Sequence, residues 1–318
     1  MRFLTFADES GMPAVGVLRG GNILDLNKWL GNASPVRWTV LTLVAASAEQ
    51  PDVYRNLLEK LHAVFDDELE HRGLLKPMDQ AALYAPIPFP RCNVICLGQN
   101  YSDHAAEARI ARGEQVQVDR PDYPNFFTKS AGSINGPYAD IPFDPEVSTQ
   151  IDWEGELAFV IGKQGKNIAL DQAMDYVFGY TIVNDVTARD LQRRYAGQFF
   201  KGKSLDGSCP MGPCLVTADE IPNAHNLDID VRVNGEVKQH GNTAAMLFTI
   251  PEIIQELSVG MTLQPGDIIS TGTPSGVGFA RNPPQFLKPG DVVECSITSL
   301  GTIRNQVKER PERYSAIR

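Results

Sequence analysis

The stretch TQIDWEGELAFVIG, Thr149 to Gly162, constrains this chain most, because it sets Glu154 and Glu156 in what otherwise has the composition of a buried apolar strand. Side chains of a strand alternate between its faces. Trp153, Leu157 and Phe159 therefore share one face and the two glutamates the other, about 7 Å apart at their Cα atoms. Two like charges buried side by side are costly unless a cation lies between them or one takes a proton. The pair asks for a metal or for acid/base work, with a solvent-facing strand edge as the plain alternative. Asp185 ends the apolar run FGYTIVND just before the expected helix VTARDLQRRY, where it can meet the other two carboxylates. Three carboxylates and water make a hard oxygen site suited to Mg²⁺ or Mn²⁺, and the absence of His and Cys from these positions disfavours Zn²⁺.

The 318 residues suffice for a full core in one large domain with an appendage, or in two domains. With 42% hydrophobic and 21% charged residues the composition is that of a soluble globular protein. A formal charge of -10 argues against nucleic acid or an anionic membrane as partner, so an anionic substrate needs a local cation. Five cysteines without a CxxC pair fit a reducing compartment, and Cys92 and Cys96 in the strand-like CNVICLG are expected as small core hydrophobes. MRFLTFADESG lacks a basic segment followed by an apolar run, and no eighteen uncharged apolar residues follow one another, so the expected location is cytoplasmic.

Gly20-Gly21 and Asn234-Gly235 signal hairpins. Leu57, Leu58, Leu61 and Phe65 recur at helix spacing within roughly Thr39 to Glu70. The proline cluster APIPFPR marks a boundary. The organisation expected is a small N-terminal α/β domain over 1–85, a strand-dominated domain over 86–310 and a solvated tail over 311–318. Helices are expected near SDHAAEAR, capped by Ser102 or Asp103, near TARDLQRRY and near IPEIIQELSVG. Strands with only occasional helices favour a mixed, β-rich α+β fold.

Four further stretches carry candidate chemistry. In NYSDHAAEA, His104 and Glu107 stand one helical turn apart, so the carboxylate can orient the imidazole as a general base; an exposed helical His beside a chance Glu is the alternative. FFKGKSLDGSCPMGP sets Lys201 and Lys203 among glycines on a loop-like segment, as solvated charges or as the cations a carboxylate substrate needs, and Lys129 in FFTKS is a second candidate anion contact. STGTPSGVG, Ser270 to Gly278, lets backbone amides converge on an anion but lacks the residues of a nucleotide loop. A grip on a substrate carboxylate and a structural turn both remain open there.

Taken in order, GQNYSDHAAE, FFTKS, DWEGELAFVIG, FGYTIVNDVTARDLQ, GKSLDGSCPMGP, RVNGE, GDIISTGTPSGVG and LKPGDVVE resemble the fumarylacetoacetate hydrolase family, in its branch of acylpyruvate hydrolases and oxaloacetate decarboxylases. The resemblance covers about Arg91 to Val307. It implies a mixed β-roll, a homodimer, and metal ligands at Glu154, Glu156 and Asp185 for Mg²⁺ or Mn²⁺. It also implies a dyad of His104 and Glu107 on a lid that activates water, an assisting Lys203, and substrate contacts at Lys129, Gln192 and Thr273. The reaction implied is metal-dependent cleavage of a 2,4-dioxo acid through a pyruvate enolate, with oxaloacetate decarboxylation or keto-enol isomerisation at the same site as the alternative. A non-catalytic, partner-binding role is the third reading. The charged stretch after His104 and the presence of Gln99 before Asn100 depart from the family's pattern.

Overall fold

A computed structural model describes residues 1–31, 37–111, 113–114 and 120–310. The expected tail at 311–318 and part of the charged stretch after His104 lie outside the described residues. The architecture is α+β and β-rich, as the spacing of turns and strands predicts. Twelve of the described strands form one sheet, whose central path runs Arg2–Ala7, Cys209–Thr217, Val177–Asn184, Gly155–Ile161, Ile268–Ser270 and Val94–Gly98. A second sheet of five strands orders Glu236–Asn242, Asp228–Val233, Val292–Ile297, Gly301–Glu309 and Ile141–Phe143.

Local chemistry explains the connections. Gly20 and Gly21, at φ 52° and 88°, turn Pro13–Arg19 back onto Asn22–Asp25, and Asn234-Gly235 does the same for the strands on either side of it. Positive φ at both central residues is what a tight hairpin demands. Hydrogen bonding crosses the position expected as a boundary: Phe3 lies opposite Leu215, and the Thr5 hydroxyl donates to Pro86 O at 2.8 Å.

The strand Gly155–Ile161 is buried along its whole length. Leu157, Phe159 and Ile161 enter one hydrophobic core and Ala158 and Val160 the other, so the period of two serves both faces at once. The first core lies between the sheets and under the helix Ile250–Ser258; the second lies between the large sheet and the N-terminal helices Val40–Glu49 and Pro51–Ala63.

Four local expectations need correction. Leu57 and Leu61 do face the core, but Phe65 falls beyond the end of its helix and is exposed, because the helix stops at Ala63. The helix Ser102–Ala111 begins with Ser102 already inside it, so neither Ser102 nor Asp103 is the cap. Cys92 is exposed, since the strand starts only at Val94; Cys96 is enclosed, and all five cysteines are free. FKGK forms a short helix, Phe200–Lys203, not a loop, and this turns Lys203 inward.

Candidate active site

Register brings the acidic residues together. Gly155 pairs with Asn184 across antiparallel strands, which leaves Glu154 beside Asp185; Asp185 N–H donates to Glu154 O at 2.8 Å, and Glu154 N–H donates to the Asn184 side chain at 3.0 Å. A Cβ on Gly155 would lie 2.4 Å from Val231, so only glycine lets the second sheet approach between the two glutamates. Glu154, Glu156 and Asp185 each present an oxygen within 4.8 Å of the others', all three residues buried.

Cations of the chain share this cluster. Lys203 Nζ donates to Glu154 and, at 2.6 Å, to Asp185 Oδ2. Arg189 bridges Asp152 at 2.8 Å and Glu154 at 2.5 Å. Lys129, with no exposed surface, stands 2.8 Å from Asp185 Oδ1 and donates to Val186 O at 3.1 Å. Four carboxylates (Asp152, Glu154, Glu156, Asp185) against three cations leave one negative charge uncompensated.

The imbalance falls on Glu156. Among the described residues it makes no ion pair; Oε2 instead accepts from Ser270 Oγ at 2.6 Å and Gly272 N at 3.0 Å. Burial, then the charges of Asp185 and Glu154, push its carboxyl well above the ordinary range. Burial also acts upward on Glu154, but Arg189 and Lys203 outweigh it and hold that carboxyl low. Lys203 is drawn down by burial and more strongly up by Asp185 and Glu154, so it stays an ammonium. Three hard oxygen donors, one without a counter-cation, fit a divalent ion such as Mg²⁺ or Mn²⁺.

Glu154, Glu156, Lys203, Gln192 and Thr273 line the same pocket, of about 500 Å³, as His104. The dyad forms: His104 Nδ1 lies 2.8 Å from Glu107 Oε1, and Glu107 Oε2 accepts from Gly276 N at 2.8 Å. Six of the nine expected site residues thus line the pocket, while Glu107 joins it through His104 and Asp185 through Lys203 and the carboxylate cluster. Lys129 is the exception, since it is enclosed behind Asp185 and is not part of the pocket wall. Thr273 is on the wall, but its hydroxyl donates to Gly155 O at 2.9 Å and accepts from Gln239.

The glycine-rich loop does use its amides on anions, but they are the protein's own. Gly272, Gly276 and Gly278 donate to Glu156, Glu107 and Asp152 respectively. Gly276 has φ 105°, and a Cβ there would meet Lys238 O at 2.1 Å, which shows why the loop needs glycine at that point. Reading the sequence missed Asp152, Arg189, Arg193 and Gln239. For the arginines the signal was their four-residue spacing in TARDLQRR, directly after Asp185.

Residues 93–308 match the family model described as fumarylacetoacetate (FAA) hydrolase C-terminal. Among curated relatives, oxaloacetate tautomerase YisK of Bacillus subtilis is 50% identical over 242 residues, covering 76% of this chain and 77% of that protein. Oxaloacetate tautomerase fahd2, mitochondrial, of Xenopus laevis is 43% identical over 311 residues, covering 96% and 90%. The solved fumarylacetoacetate hydrolase of Exiguobacterium antarcticum superposes with a TM-score of 0.80 at 37% identity, covering 98% of this chain and all of that one. A maleylpyruvate hydrolase from Sphingobium sp. SYK-6, solved with manganese(II) ion and pyruvate, gives 0.72 at 30% identity, covering 97% and 99%. This chain belongs to the fumarylacetoacetate hydrolase family.

Proposed function

We propose that this protein catalyses keto-enol tautomerisation of a small 2-oxo acid with an acidic C3 position, oxaloacetate being the leading substrate. The observation that carries the reading is the meeting, in one pocket, of a lysine held as an ammonium with a histidine held by a carboxylate. Tautomerisation needs a base to take the C3 proton and a donor to steady the oxygen that gains charge. His104 is the base, its orientation fixed through Nδ1 by Glu107, which leaves Nε2 for the substrate. Lys203, as an ammonium, is the donor for the enolate oxygen. A divalent cation held by Glu154, Glu156 and Asp185 would supply Lewis-acid polarisation of the 2-oxo group. The proton returns from His104 to oxygen, and no water is consumed. Two relatives named for oxaloacetate tautomerase activity support this choice.

Hydrolytic cleavage of an acylpyruvate is the second reading, favoured by the resemblance to a maleylpyruvate hydrolase solved with pyruvate. There His104 would take its proton from water, and the same donor would meet the departing pyruvate enolate. The deciding experiment follows enol-oxaloacetate by ultraviolet absorbance with Mg²⁺, Mn²⁺ or EDTA, and pyruvate release from acylpyruvates in parallel. We expect metal-dependent loss of the enol without stoichiometric pyruvate; pyruvate from acylpyruvates with no effect on the enol would replace the tautomerase with the hydrolase. The homodimer implied by the family is tested by light scattering on the purified protein.

A further inference from the structure

Three permanently or stably charged cations line the pocket: Arg189, Lys203 and Arg193. The charges of the first two are already paired. Arg189 is bound to Asp152 and Glu154, and Lys203 to Glu154 and Asp185. Arg193 makes no ion pair among the described residues, and it is exposed at the pocket wall. It follows Arg189 by four residues on the helix Arg189–Arg194, so the two side chains rise from one face of that helix.

Both guanidinium groups are drawn to the same ring. Arg189 Cζ lies 4.3 Å and Arg193 Cζ 5.5 Å from the centroid of Phe279, itself a pocket residue whose backbone N–H donates to Asp152. Two cations gathered at one ring repel each other unless anions accompany them. Asp152 and Glu154 accompany Arg189; nothing described accompanies Arg193. A substrate that leaves its reacting end at the carboxylate cluster would extend toward this second cation, one helical turn of about 5.4 Å further along. That spacing is comparable to the reach of a four-carbon diacid. Gln99 and Gln192 on the same wall can donate hydrogen bonds, but they bring no charge.

We propose that Arg193 is the specificity-determining residue of this pocket and takes the distal carboxylate of a dicarboxylic 2-oxo acid. The proposal rests on the reading of the site as an enolising centre and adds to it the class of substrate: a diacid is preferred over a 2-oxo acid with a neutral tail. Because Arg193 faces solvent, it acts on substrate capture more than on proton transfer, and added salt weakens its contribution.

The test compares oxaloacetate with 2-oxobutanoate, the same carbon chain ending in a methyl group. C3 proton exchange into deuterium oxide is followed for wild type, Arg193→Gln and Arg193→Lys. For Arg193→Gln we expect KM for oxaloacetate to rise about 10- to 100-fold, the size of a charge-assisted hydrogen bond. Its kcat should be little changed, 2-oxobutanoate should be unaffected, and Arg193→Lys should recover part of the loss. An equal loss on both substrates, or no loss on either, overturns the proposal. If wild type exchanges neither acid, the enolising reading fails, and calorimetric titration of the Mg²⁺-loaded protein with each acid still decides the role of Arg193. Preference for the diacid in wild type, erased in Arg193→Gln, supports the role; equal affinities overturn it.

Discussion

The two sides of the pocket are built on opposite principles. On one side, the carboxylate cluster hangs from the strand Gly155–Ile161 and its neighbours, and each charged group is enclosed and held by several partners. On the other, His104 and Glu107 ride on the helix Ser102–Ala111, part of whose surface, Ile110 included, faces solvent. The root of that helix is secured: Asn100 bonds the backbone of Phe248 and Thr271, and Tyr101 bridges to Met246. Beyond the root, the dyad depends on Glu107 meeting Gly276, and Arg120, where the described chain resumes, meets Glu252 at 2.7 Å. Charges that must stay put are set by sheet register. The group proposed to exchange protons is set by a few separable contacts.

The comparison predicts where damage is structural and where it is purely functional. Lys203→Met leaves Glu154 and Asp185 buried without their shared cation, and removing one partner of a buried ion pair costs about 3–5 kcal/mol. Urea denaturation should show a loss of that size in EDTA, and Mg²⁺ should restore much of it by taking the place of the missing charge. If the variant is as stable as wild type in EDTA, the cluster is not the charge-compensated unit described above.

His104→Ala should act in the reverse sense. Loss of a general base costs about 10²- to 10⁴-fold in kcat/KM, while thermal melting stays near wild type because no buried charge is stranded. Glu107→Gln should fall between wild type and His104→Ala, since an amide oxygen can still accept from one of its two partners, His104 or Gly276. Glu107→Ala loses both contacts and should resemble His104→Ala. Full activity in Glu107→Ala would sever the dyad from the chemistry.

The same contrast explains what could be read without coordinates. Glu154, Glu156 and Asp185 were legible because a strand's period of two and a strand's end leave little freedom in where their carboxylates go. Helical spacing offered the dyad and left an exposed His beside a chance Glu open; the family resemblance chose between them, and the two side chains do meet. The enclosure of Lys129 was not legible, because it depends on the pairing of Asn125–Lys129 with Val94–Gly98 and on its reach to Asp185, neither of which is local. The loop Ser270 to Gly278 announced amides that bind anions, but not that the anions are Glu156, Glu107 and Asp152, which arrive from more than a hundred residues away. FKGK is four residues long, too short for any periodicity to distinguish helix from loop.

The smallest effects should appear where Arg120 is anchored, and they probe whether the dyad's side is as separable as it looks. Arg120 stacks on Phe248, 4.4 Å from the ring centroid, and pairs with Glu252 in the first turn of the helix Ile250–Ser258. The start of that helix is held from outside by His225, whose Nε2 accepts the Ile250 N–H at 3.0 Å. The contact requires a neutral imidazole. Burial lowers the His225 pKa, with Glu252 acting weakly the other way, so the folded protein resists a proton that the unfolded chain accepts. This contribution is whole above the ordinary histidine range, about pH 6.5, and fades as pH falls through it toward the lower folded value. For a half-exposed group it amounts to less than about 1 kcal/mol.

Arg120→Ala should cost about 0.5–1 kcal/mol or less, as an exposed ion pair with a cation-π contact does. Both perturbations loosen the same helical turn. Acidification from pH 7.5 to 5.5 should therefore lower stability less in Arg120→Ala than in wild type, because coupled neighbours do not add. His225→Gln, whose amide oxygen can accept the Ile250 N–H at any pH, should remove the part of the profile that comes from this contact. Denaturation midpoints across pH for the three proteins measure this directly. A drop in Arg120→Ala as large as that of Lys203→Met would mean that the exposed anchor bears as much of the fold as the buried charges, and the division between the two sides of the pocket would be wrong.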